Sequence, residues 1–362
     1  MKRIVCTVTN DLLYDQRMIR ICNSLAGNGY RVTLVGRRIK DSLPLKKQAF
    51  EQKRLFCFFS KGKLFYIEFN IRLFFFLLFY RTDIIVAIDL DTILPCYLVS
   101  KIRSKKRVYD AHELFCEMKE IATRPFIYRC WKALERFTVP HFRYGYTVNQ
   151  PIADEFNKMY ALQYEVIRNV PLYEESDIPV KPSKYIIYQG AVNEGRSFET
   201  LIPAMKWVDA PLVICGDGNF MEQAKALVRQ HQLEGKVVFK GKLLPGELVA
   251  ITRGAWIGVT LFDAAGKSNY YSLANRFFDY LHAGIPQLCV DYPVYREINN
   301  RYGIAVVTNS LDAESLAFKL NDLLNNQENY QVLQQNCLRA RKELNWQEEE
   351  KKLIEFYKKH FG

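Results

Sequence analysis

The stretch Ser272–Pro286, SLANRFFDYLHAGIP, decides how this chain is interpreted. It contains Arg276 and Asp279 three residues apart, so a helix would carry both side chains on one face. We predict that the helix ends at His282-Ala283-Gly284 and leads into an apolar strand at Gln287–Val290. The cation and the helix N-terminus suit a phosphate, and the carboxylate suits hydroxyl groups. The same pattern also fits a surface salt bridge, so the surrounding sequence has to distinguish the two.

The first half of the chain alternates between strand and helix patterns. A helix is predicted at Asp15–Gly27 and ends at Gly27-Asn28-Gly29. The predicted strands are Arg3–Thr9, Arg31–Gly36, Asp83–Ile88, Arg107–Ala111, Gly145–Asn149 and Glu165–Arg168. Strands that alternate with helices predict a parallel, doubly wound sheet.

A stretch with three prolines and four charged residues, PLYEESDIPVKPS at 171–183, is typical of a linker. A second alternating series follows it. Its predicted strands are Tyr185–Gln189, Pro211–Cys215, Lys236–Lys240, Ile257–Leu261, Gln287–Val290 and Ile304–Val307. We therefore predict an α/β protein of two Rossmann-like doubly wound domains, residues 1–170 and 184–345, that face a cleft. The amphipathic helix at 346–362 is predicted to pack back on the first domain, with covering the second as the alternative.

Composition describes a globular protein, with 49% hydrophobic and 25% charged residues in 362. Nine scattered cysteines without a C-x-x-C pair suggest free thiols in a reducing compartment. Met1-Lys2-Arg3 runs directly into a predicted strand, so no signal peptide is expected. The apolar run Leu73–Tyr80 is too short to span a membrane. We expect a cytoplasmic protein that is peripheral on the inner face of the cell membrane.

The excess of positive over negative charge lies entirely in the first half of the chain. Residues 1–170 hold 29 basic and 16 acidic residues, whereas the remainder holds 22 and 23. Residues 46–81 combine phenylalanines with the basic residues Lys46, Lys47, Lys53, Arg54, Lys61, Lys63, Arg72 and Arg81. This mixture suggests an anionic membrane surface as partner, although a buried helix with a basic outer face would explain much of Leu73–Tyr80. Nucleic acid fits less well, because no recognition motif accompanies the charge.

Five segments of the second half resemble the family 4 (group 1) glycosyltransferases, whose two-Rossmann architecture is called GT-B. They are YQGAVNEGRSFETLIPAM (188–205), VICGDG (213–218), VVFKGKLLPGEL (237–248), SLANRFFDYLHAGIP (272–286) and YREINNRYGIAV (295–306). Their order and spacing match the family's donor domain. The resemblance implies a GT-B fold and an enzyme that uses a nucleotide sugar.

The resemblance also implies roles for donor-site residues. Asp279 takes the place of the carboxylate that binds the donor ribose. Arg276 and Arg196 take the places of cations that hold the diphosphate and stabilise charge on the leaving group. In one branch of the family the segment is P-N-K-x-x-E-Y, which Ala274–Tyr280 matches with Ala for Pro, Arg for Lys and Asp for Glu. The remaining donor-binding candidates are Gly190 near the phosphates, Gly216 and Asp217 in the nucleotide pocket, and Lys242 and Leu243 in the loop that holds the base.

Tyr271 marks a departure from the commoner family pattern, in which a first glutamate stands eight positions before the second. That glutamate contacts the transferred sugar, so the resemblance does not identify the sugar. The backbone N–H groups of Tyr271, Ser272 and Leu273, just before the helix, are predicted to hold the diphosphate.

Acceptor-site candidates follow strands of the first domain. His112, in Asp110-Ala111-His112-Glu113, occupies a position where related enzymes have a histidine that contacts the transferred sugar. It is therefore the catalytic candidate there, with Asp110 beside it. Asn10 and Asp11 follow the first strand, and Arg17 is a candidate phosphate contact. A structural role is the alternative for each.

Asp89-Leu90-Asp91 resembles the D-x-D signature of metal-dependent transferases. GT-B enzymes generally need no metal, and a helix dipole with Arg196 and Arg276 can balance a diphosphate. The resemblance therefore implies no metal and no other cofactor.

The leading hypothesis is a retaining glycosyltransferase that uses a UDP-sugar, or else a GDP-sugar. Its acceptor would be a hydroxyl of a lipid-linked glycan in polysaccharide or lipopolysaccharide synthesis. The alternatives are a nucleotide-sugar 2-epimerase and a non-catalytic nucleotide-sugar-binding assembly protein.

Overall fold

A computed structural model describes residues 1–38, 40, 42–175 and 183–362. The chain forms two units, Met1–Asn169 with Glu349–Gly362, and Val170–Glu348. Residues 176–182 of the predicted linker lie outside the described residues. Within the second unit, the Trp346 N–H donates to the carbonyl of Pro171 at 2.8 Å.

Seven parallel strands form the sheet of the first unit, in the order β3-β2-β1-β4-β5-β6-β7. Their bounds are β1 Arg3–Thr7, β2 Arg31–Arg38, β3 Glu51–Phe56, β4 Ile84–Ile88, β5 Lys106–Ala111, β6 Tyr144–Thr147 and β7 Glu165–Val166. The helices are α1 Gln16–Gly27, α2 Gly62–Phe79, α3 Ile93–Ile102, α4 Lys119–Ala122, α5 Pro125–Thr138 and α6 Gln150–Tyr160. The central strand β4 is buried throughout, as expected where helices cover both faces of a parallel sheet.

Six parallel strands form the sheet of the second unit, in the order β10-β9-β8-β11-β12-β13. Their bounds are β8 Ile186–Gln189, β9 Leu212–Cys215, β10 Val237–Gly241, β11 Ile257–Thr260, β12 Gln287–Val290 and β13 Ala305–Thr308. The helices are α7 Phe198–Ala204, α8 Met221–Gln230, α9 Pro245–Gly254, α10 Lys267–Tyr270, α11 Asn275–Ala283, α12 Pro293–Tyr302, α13 Ala313–Asn325 and α14 Gln327–Ala340, and only the first three residues of α15 Trp346–Phe361 belong to this unit. Both units therefore have the predicted doubly wound Rossmann-like topology.

The helix predicted within Ser272–Pro286 is α11. It ends where predicted, since Gly284 caps it in the left-handed region at φ 68°. Its last turn is followed by the predicted strand β12.

The last helix, α15, begins in the second unit and belongs to the first from Glu349 onward. In the first unit, the rings of Tyr357 and Tyr30 are 5.8 Å apart, and Phe356 and Tyr146 are 5.3 Å apart. The buried apolar face of α15 thereby completes the core of the first unit.

Strand β3 was not predicted, because four of its six residues, Glu51 to Arg54, are polar. It lies at the edge of the first sheet, where β2 is its neighbour among the described strands. An edge strand keeps one side in solvent, so polar and charged side chains suit it. Across the described ranges, no helix combines the length and apolarity needed to cross a bilayer.

Candidate functional site

In the second unit, the predicted donor-site residues gather at the carboxyl edge of the sheet. Gly190 follows β8, Gly216 follows β9 and Phe262 follows β11. Strands β8 and β11 are neighbours at the point where the strand order reverses. Ligands of doubly wound sheets bind at this switch point.

Arg276 is the buried cation of this edge. Arg276 is only 7% exposed. Its Nη1 donates to the hydroxyl of Tyr188 and to the carbonyl of Gln189, each at 3.3 Å. Its Nε and Nη2 are buried and have no hydrogen-bond partner among the described residues. A buried guanidinium with two unused nitrogens, which carry three N–H groups, is costly unless an anion completes it. The structure therefore favours a ligand anion here over the surface salt bridge considered above.

Gly190 borders this guanidinium. A Cβ built on Gly190 would lie 3.1 Å from Nη1 of Arg276, and its φ of 121° also favours glycine. The side of Arg276 that faces β8 is thus kept open by a residue without a side chain.

Arg196 is brought close to Arg276 by Phe262. Each guanidinium carbon lies 4.6 Å from the centroid of the Phe262 ring. Nη1 of Arg196 also contacts Oδ1 of Asn269 at 3.4 Å. The two cations predicted to hold a diphosphate therefore share one aromatic support.

Asp279 is oriented by a residue that the sequence analysis missed. Nε2 of Gln189, the last residue of β8, donates to Oδ2 of Asp279 at 2.7 Å. The hydroxyl of Thr252 donates to Oε1 of Gln189 at 2.6 Å, which fixes the direction of the amide. Gln189 is 4% exposed. A buried glutamine at the end of a strand was the only signal, and nothing in the sequence linked it to a residue 90 positions away.

Gly216 and Gly218 have a packing role. A Cβ on Gly216 would lie 1.8 Å from the carbonyl oxygen of Gly190, and one on Gly218 would lie 2.3 Å from that of Val192. The two loops therefore touch backbone to backbone. Asp217 between the glycines is exposed, and its Oδ1 accepts the N–H of Gly218 at 2.8 Å.

Lys242 and Leu243 follow β10 beside this pair of loops, because the Gly216 N–H donates to the Gly241 carbonyl at 2.8 Å. Leu243 packs against the core cluster that contains Tyr280, and Lys242 is exposed. The segment adjoins the predicted nucleotide pocket, and its leucine also serves the core.

The prediction for Tyr271 and Ser272 is corrected by the structure. The Tyr271 N–H donates to the carbonyl of Lys267 at 2.9 Å, and the Ser272 N–H donates to that of Asn269 at 3.1 Å. Both groups are used by the single-turn helix α10, which the sequence analysis did not predict. They are therefore not presented to a diphosphate. Leu273 is largely buried just before α11.

In the first unit, the structure brings Asp110, His112 and Arg17 together at the carboxyl end of β5. Nη2 of Arg17 pairs with Oδ1 of the fully buried Asp110 at 2.8 Å, and its Nη1 donates to the carbonyl of Ile167. Arg17 Nε lies 2.9 Å from Nε2 of His112. Arg17 is thus a buried ion-pair partner that holds this cluster, rather than an open phosphate contact.

His112 is held between two carboxylates. Its Nδ1 lies 3.2 Å from Oδ2 of Asp89, and its Nε2 lies 3.2 Å from Oδ2 of Asp110. Burial opposes its charged form, but the fields of Asp89 and Asp110 outweigh that effect and raise the pKa of His112 well above its ordinary value. Asp89 also accepts the His112 backbone N–H at 2.9 Å, from a backbone in the left-handed region at φ 53°. Asp89 is a second site residue that the sequence analysis missed in this role.

Asn10 and Asp11 are engaged in local structure. Asp11 pairs with Arg54 at 2.6 Å, so it ties the loop after β1 to β3. Asn10 donates to Asp15 at 3.3 Å, and Asp15 caps α1 by accepting the N–H of Met18. Within the described residues, no group of three or more His, Cys, Asp or Glu side chains is arranged to hold a metal.

Comparisons with known proteins concern the family and the fold. Residues 173–339 match the family described as glycosyl transferases group 1. The sucrose-phosphate synthase of Thermosynechococcus elongatus is 15% identical, with a TM-score of 0.78 over 100% of this chain and 99% of that one.

Anabaena Alr3699/HepE in complex with UDP-glucose is 11% identical, with a TM-score of 0.73 over 99% of this chain and 100% of that one. WaaG, a glycosyltransferase involved in lipopolysaccharide biosynthesis, is 15% identical, with a TM-score of 0.72 over the same shares. At these identities the likeness establishes the fold, which is GT-B. No curated protein is significantly similar to the chain in sequence.

Proposed function

We propose that this chain, a group 1 glycosyltransferase by the match of residues 173–339, moves a sugar from a nucleotide diphosphate sugar to a hydroxyl acceptor. A UDP-sugar is favoured over a GDP-sugar as donor. The complex of UDP-glucose with the structural neighbour HepE supports this choice.

The observation that carries the proposal is that Nε and Nη2 of the buried Arg276 have no hydrogen-bond partner among the described residues. These two nitrogens carry three N–H groups, and the oxygens of a diphosphate would supply acceptors and a counter-charge for them. Arg196 stands on the same Phe262 ring, so a diphosphate beside Arg276 would interact with both cations. Asp279, oriented by Gln189, would bind the donor ribose.

Transfer with retention of the anomeric configuration is proposed to occur by attack on the face from which the diphosphate leaves. The departing phosphate oxygen then helps to take the proton of the acceptor hydroxyl. The chain contributes position and charge stabilisation, with Arg196 and Arg276 on the leaving diphosphate. His112 would contact the sugar or the acceptor.

The proposed acceptor is a lipid-linked glycan in polysaccharide or lipopolysaccharide assembly, at the cytoplasmic face of the cell membrane. Two observations support it: the involvement of the neighbour WaaG in lipopolysaccharide biosynthesis, and the concentration of basic residues in the first half of the chain.

The test is a thermal-shift panel of UDP-glucose, UDP-galactose, UDP-N-acetylglucosamine and GDP-mannose on wild type, Arg276→Ala and Arg301→Ala. A ligand that binds the native state raises Tm with its concentration. We expect a UDP-sugar to stabilise the wild type and the Arg301→Ala control, in which an exposed, ion-paired arginine is lost. Arg276→Ala should respond little. If no nucleotide sugar shifts the wild type, the donor-site assignment is wrong.

Turnover assays separate the alternatives. A transferase consumes the donor faster when membrane extract supplies acceptors. An epimerase converts the donor with no acceptor present, and an assembly protein binds it without turnover under either condition.

A further inference from the structure

We propose that one face of α2 binds the surface of an anionic membrane, with the helix lying in the plane of the bilayer. Helix α2 has apolar side chains on two opposite faces. Phe65, Phe69, Leu73 and Leu77, at four-residue spacing, are buried in the first unit. The opposite face exposes Leu64, Ile67, Ile71, Phe75 and Phe79, which are 54% to 81% exposed and are here called the outer stripe.

Single exposed apolar residues are common, but a continuous row on one helix face is not. The outer stripe extends from Leu64 to Phe79, which is 16 residues and about 22 Å at the rise of an α-helix. A helix that is apolar on both faces is stable when both faces are covered. The buried face is covered by the first unit, so the outer stripe needs a second apolar medium.

The buried row also determines the orientation. Because Phe65 through Leu77 are anchored in the core, α2 cannot leave the first unit to cross a bilayer. It can only lie flat, with the outer stripe at the boundary between headgroups and acyl chains.

Neighbouring rings extend the apolar surface and carry cations beside them. Phe58 is 76% exposed, and the guanidinium of Arg72 lies 5.3 Å from its ring. Phe126, at the start of α5, is 67% exposed, and the ammonium of Lys63 lies 5.5 Å from its ring. Exposed rings with adjacent cations suit the interfacial layer, where rings enter and cations remain at the headgroups.

Charge identifies the partner as anionic lipid. Residues 56–81 contain four basic residues and one acidic residue. The acidic one, Glu68, pairs with Arg72 at 2.8 Å, whereas Lys61, Lys63 and Arg81 are exposed near the two ends of the outer stripe. A second copy of the chain would place like charges against each other, and an anionic bilayer would neutralise them.

The proposed membrane surface is smaller than the predicted segment 46–81, because it begins after β3. Lys53 and Arg54 belong to β3, where they pair with Glu51 and Asp11 at 2.9 and 2.6 Å. Those two cations serve the edge of the sheet and are left out of the proposed surface.

Co-sedimentation with vesicles tests the surface on the whole chain. We expect binding to mixed phosphatidylglycerol and phosphatidylcholine vesicles, and weak binding to phosphatidylcholine alone. In the triple variant Ile67→Asn, Ile71→Asn, Phe75→Asn, the partition coefficient onto the mixed vesicles should fall by at least about tenfold. The control Trp207→Asn, Phe318→Asn removes exposed apolar residues of the second unit and should bind like wild type. Lys61→Ser and Lys63→Ser should each lower the partition coefficient roughly fivefold, and only on the anionic vesicles.

Insertion is followed directly with Phe75→Trp, whose added indole should shift its emission to the blue on anionic vesicles. Phe318→Trp should show no shift. This pair keeps the test decisive if the triple variant does not fold.

Equal binding by wild type and triple variant, or no wild-type binding to anionic vesicles, overturns the proposal. So does a lipid-free wild-type dimer that the triple variant converts to monomer, because the outer stripe would then cover another copy. None of these measurements needs a donor or acceptor, so a failure of the proposed sugar transfer would be seen separately.

Discussion

Arg196 and Arg276 stand over one phenyl ring, each with its guanidinium carbon 4.6 Å from the centroid of Phe262. Cation–π attraction stabilises each of them, but it does not remove the repulsion between the two charges. Arg276 also keeps Nε and Nη2 without a hydrogen-bond partner among the described residues. Arg276 therefore fits a site that a bound anion completes, with Arg196 on the same ring.

Replacement of Arg276 by methionine should change binding and stability in opposite directions. Removing a buried, uncompensated charge while keeping apolar volume should raise the unliganded free energy of unfolding by about 1 kcal/mol. Loss of charge-assisted hydrogen bonds should weaken UDP-sugar binding by roughly 10- to 100-fold. Urea unfolding and isothermal titration measure the two effects.

Arg301→Met is the matched control for this prediction. Arg301 is exposed and pairs with Glu343 at 3.4 Å, so its loss should leave donor affinity unchanged. A large loss of unliganded stability in Arg276→Met, with donor affinity kept, would show instead that the guanidinium serves only the fold.

Gln189→Leu should raise the donor KM by roughly 5- to 20-fold while kcat falls by less than about twofold. The amide orients Asp279 through a 2.7 Å hydrogen bond, and the leucine removes that donor without adding a charge. Steady-state kinetics over a range of donor concentrations measures both constants.

Gln287→Leu provides the comparison. Gln287 is also a buried glutamine at a strand, but its amide bonds the Phe277 carbonyl and the Thr260 hydroxyl. That variant should lose stability with little change in KM. Identical kinetic effects of the two variants would refute a positioning role for Gln189.

Strand and helix periodicity predicted most of the fold, because each element carries its own apolar pattern. Strand β3 escaped prediction since its polar residues are stabilised from elsewhere, as Arg54 is by Asp11 at 2.6 Å. The prediction at Tyr271 and Ser272 was wrong for a local reason, because the carbonyls of Lys267 and Asn269 already take both N–H groups.

The spacing of motifs along the sequence predicted Arg276, Asp279 and His112 as site residues of the two sheets. Whether they bind substrate stays a prediction. Their partners could not be predicted, because Gln189 and Asp89 lie 90 and 23 positions away from the residues that they orient. Such pairs are created by the strand order, which brings β8 beside β11 and β4 beside β5.

Gly216→Ala should be severely destabilising, by more than about 3 kcal/mol, because its Cβ would lie 1.8 Å from the Gly190 carbonyl oxygen at a φ of 148°. Gly246→Ala, in α9 with open space around it, should be neutral or stabilising by about 0.5–1 kcal/mol. Urea unfolding compares the two. Near-wild-type stability of Gly216→Ala would mean that the two loops do not pack as described.

Asp91→Asn should flatten the pH dependence of stability below neutrality. Burial, followed by the field of Asp89, raises the pKa of Asp91 to about 7, although Thr9 donates to it and His112 lies nearby. An unfolded aspartate has a pKa of about 3.9, so between about pH 4 and 7 the folded state holds a proton that the unfolded state has lost. The contribution of Asp91 to stability therefore falls as the pH rises through this window and is constant above it.

The protonation of His112 affects stability in a different pH range. Its raised pKa contributes stability below about pH 6.5, which is lost only as the pH passes its higher folded value. The unfolding free energy of Asp91→Asn, relative to that of the wild type, should thus rise between about pH 4 and 7 and then level off. Urea unfolding across this range measures it, with Asp322→Asn, an exposed position on α13, keeping the wild-type profile. Parallel profiles of Asp91→Asn and wild type would show that Asp91 is ionised in the folded protein throughout.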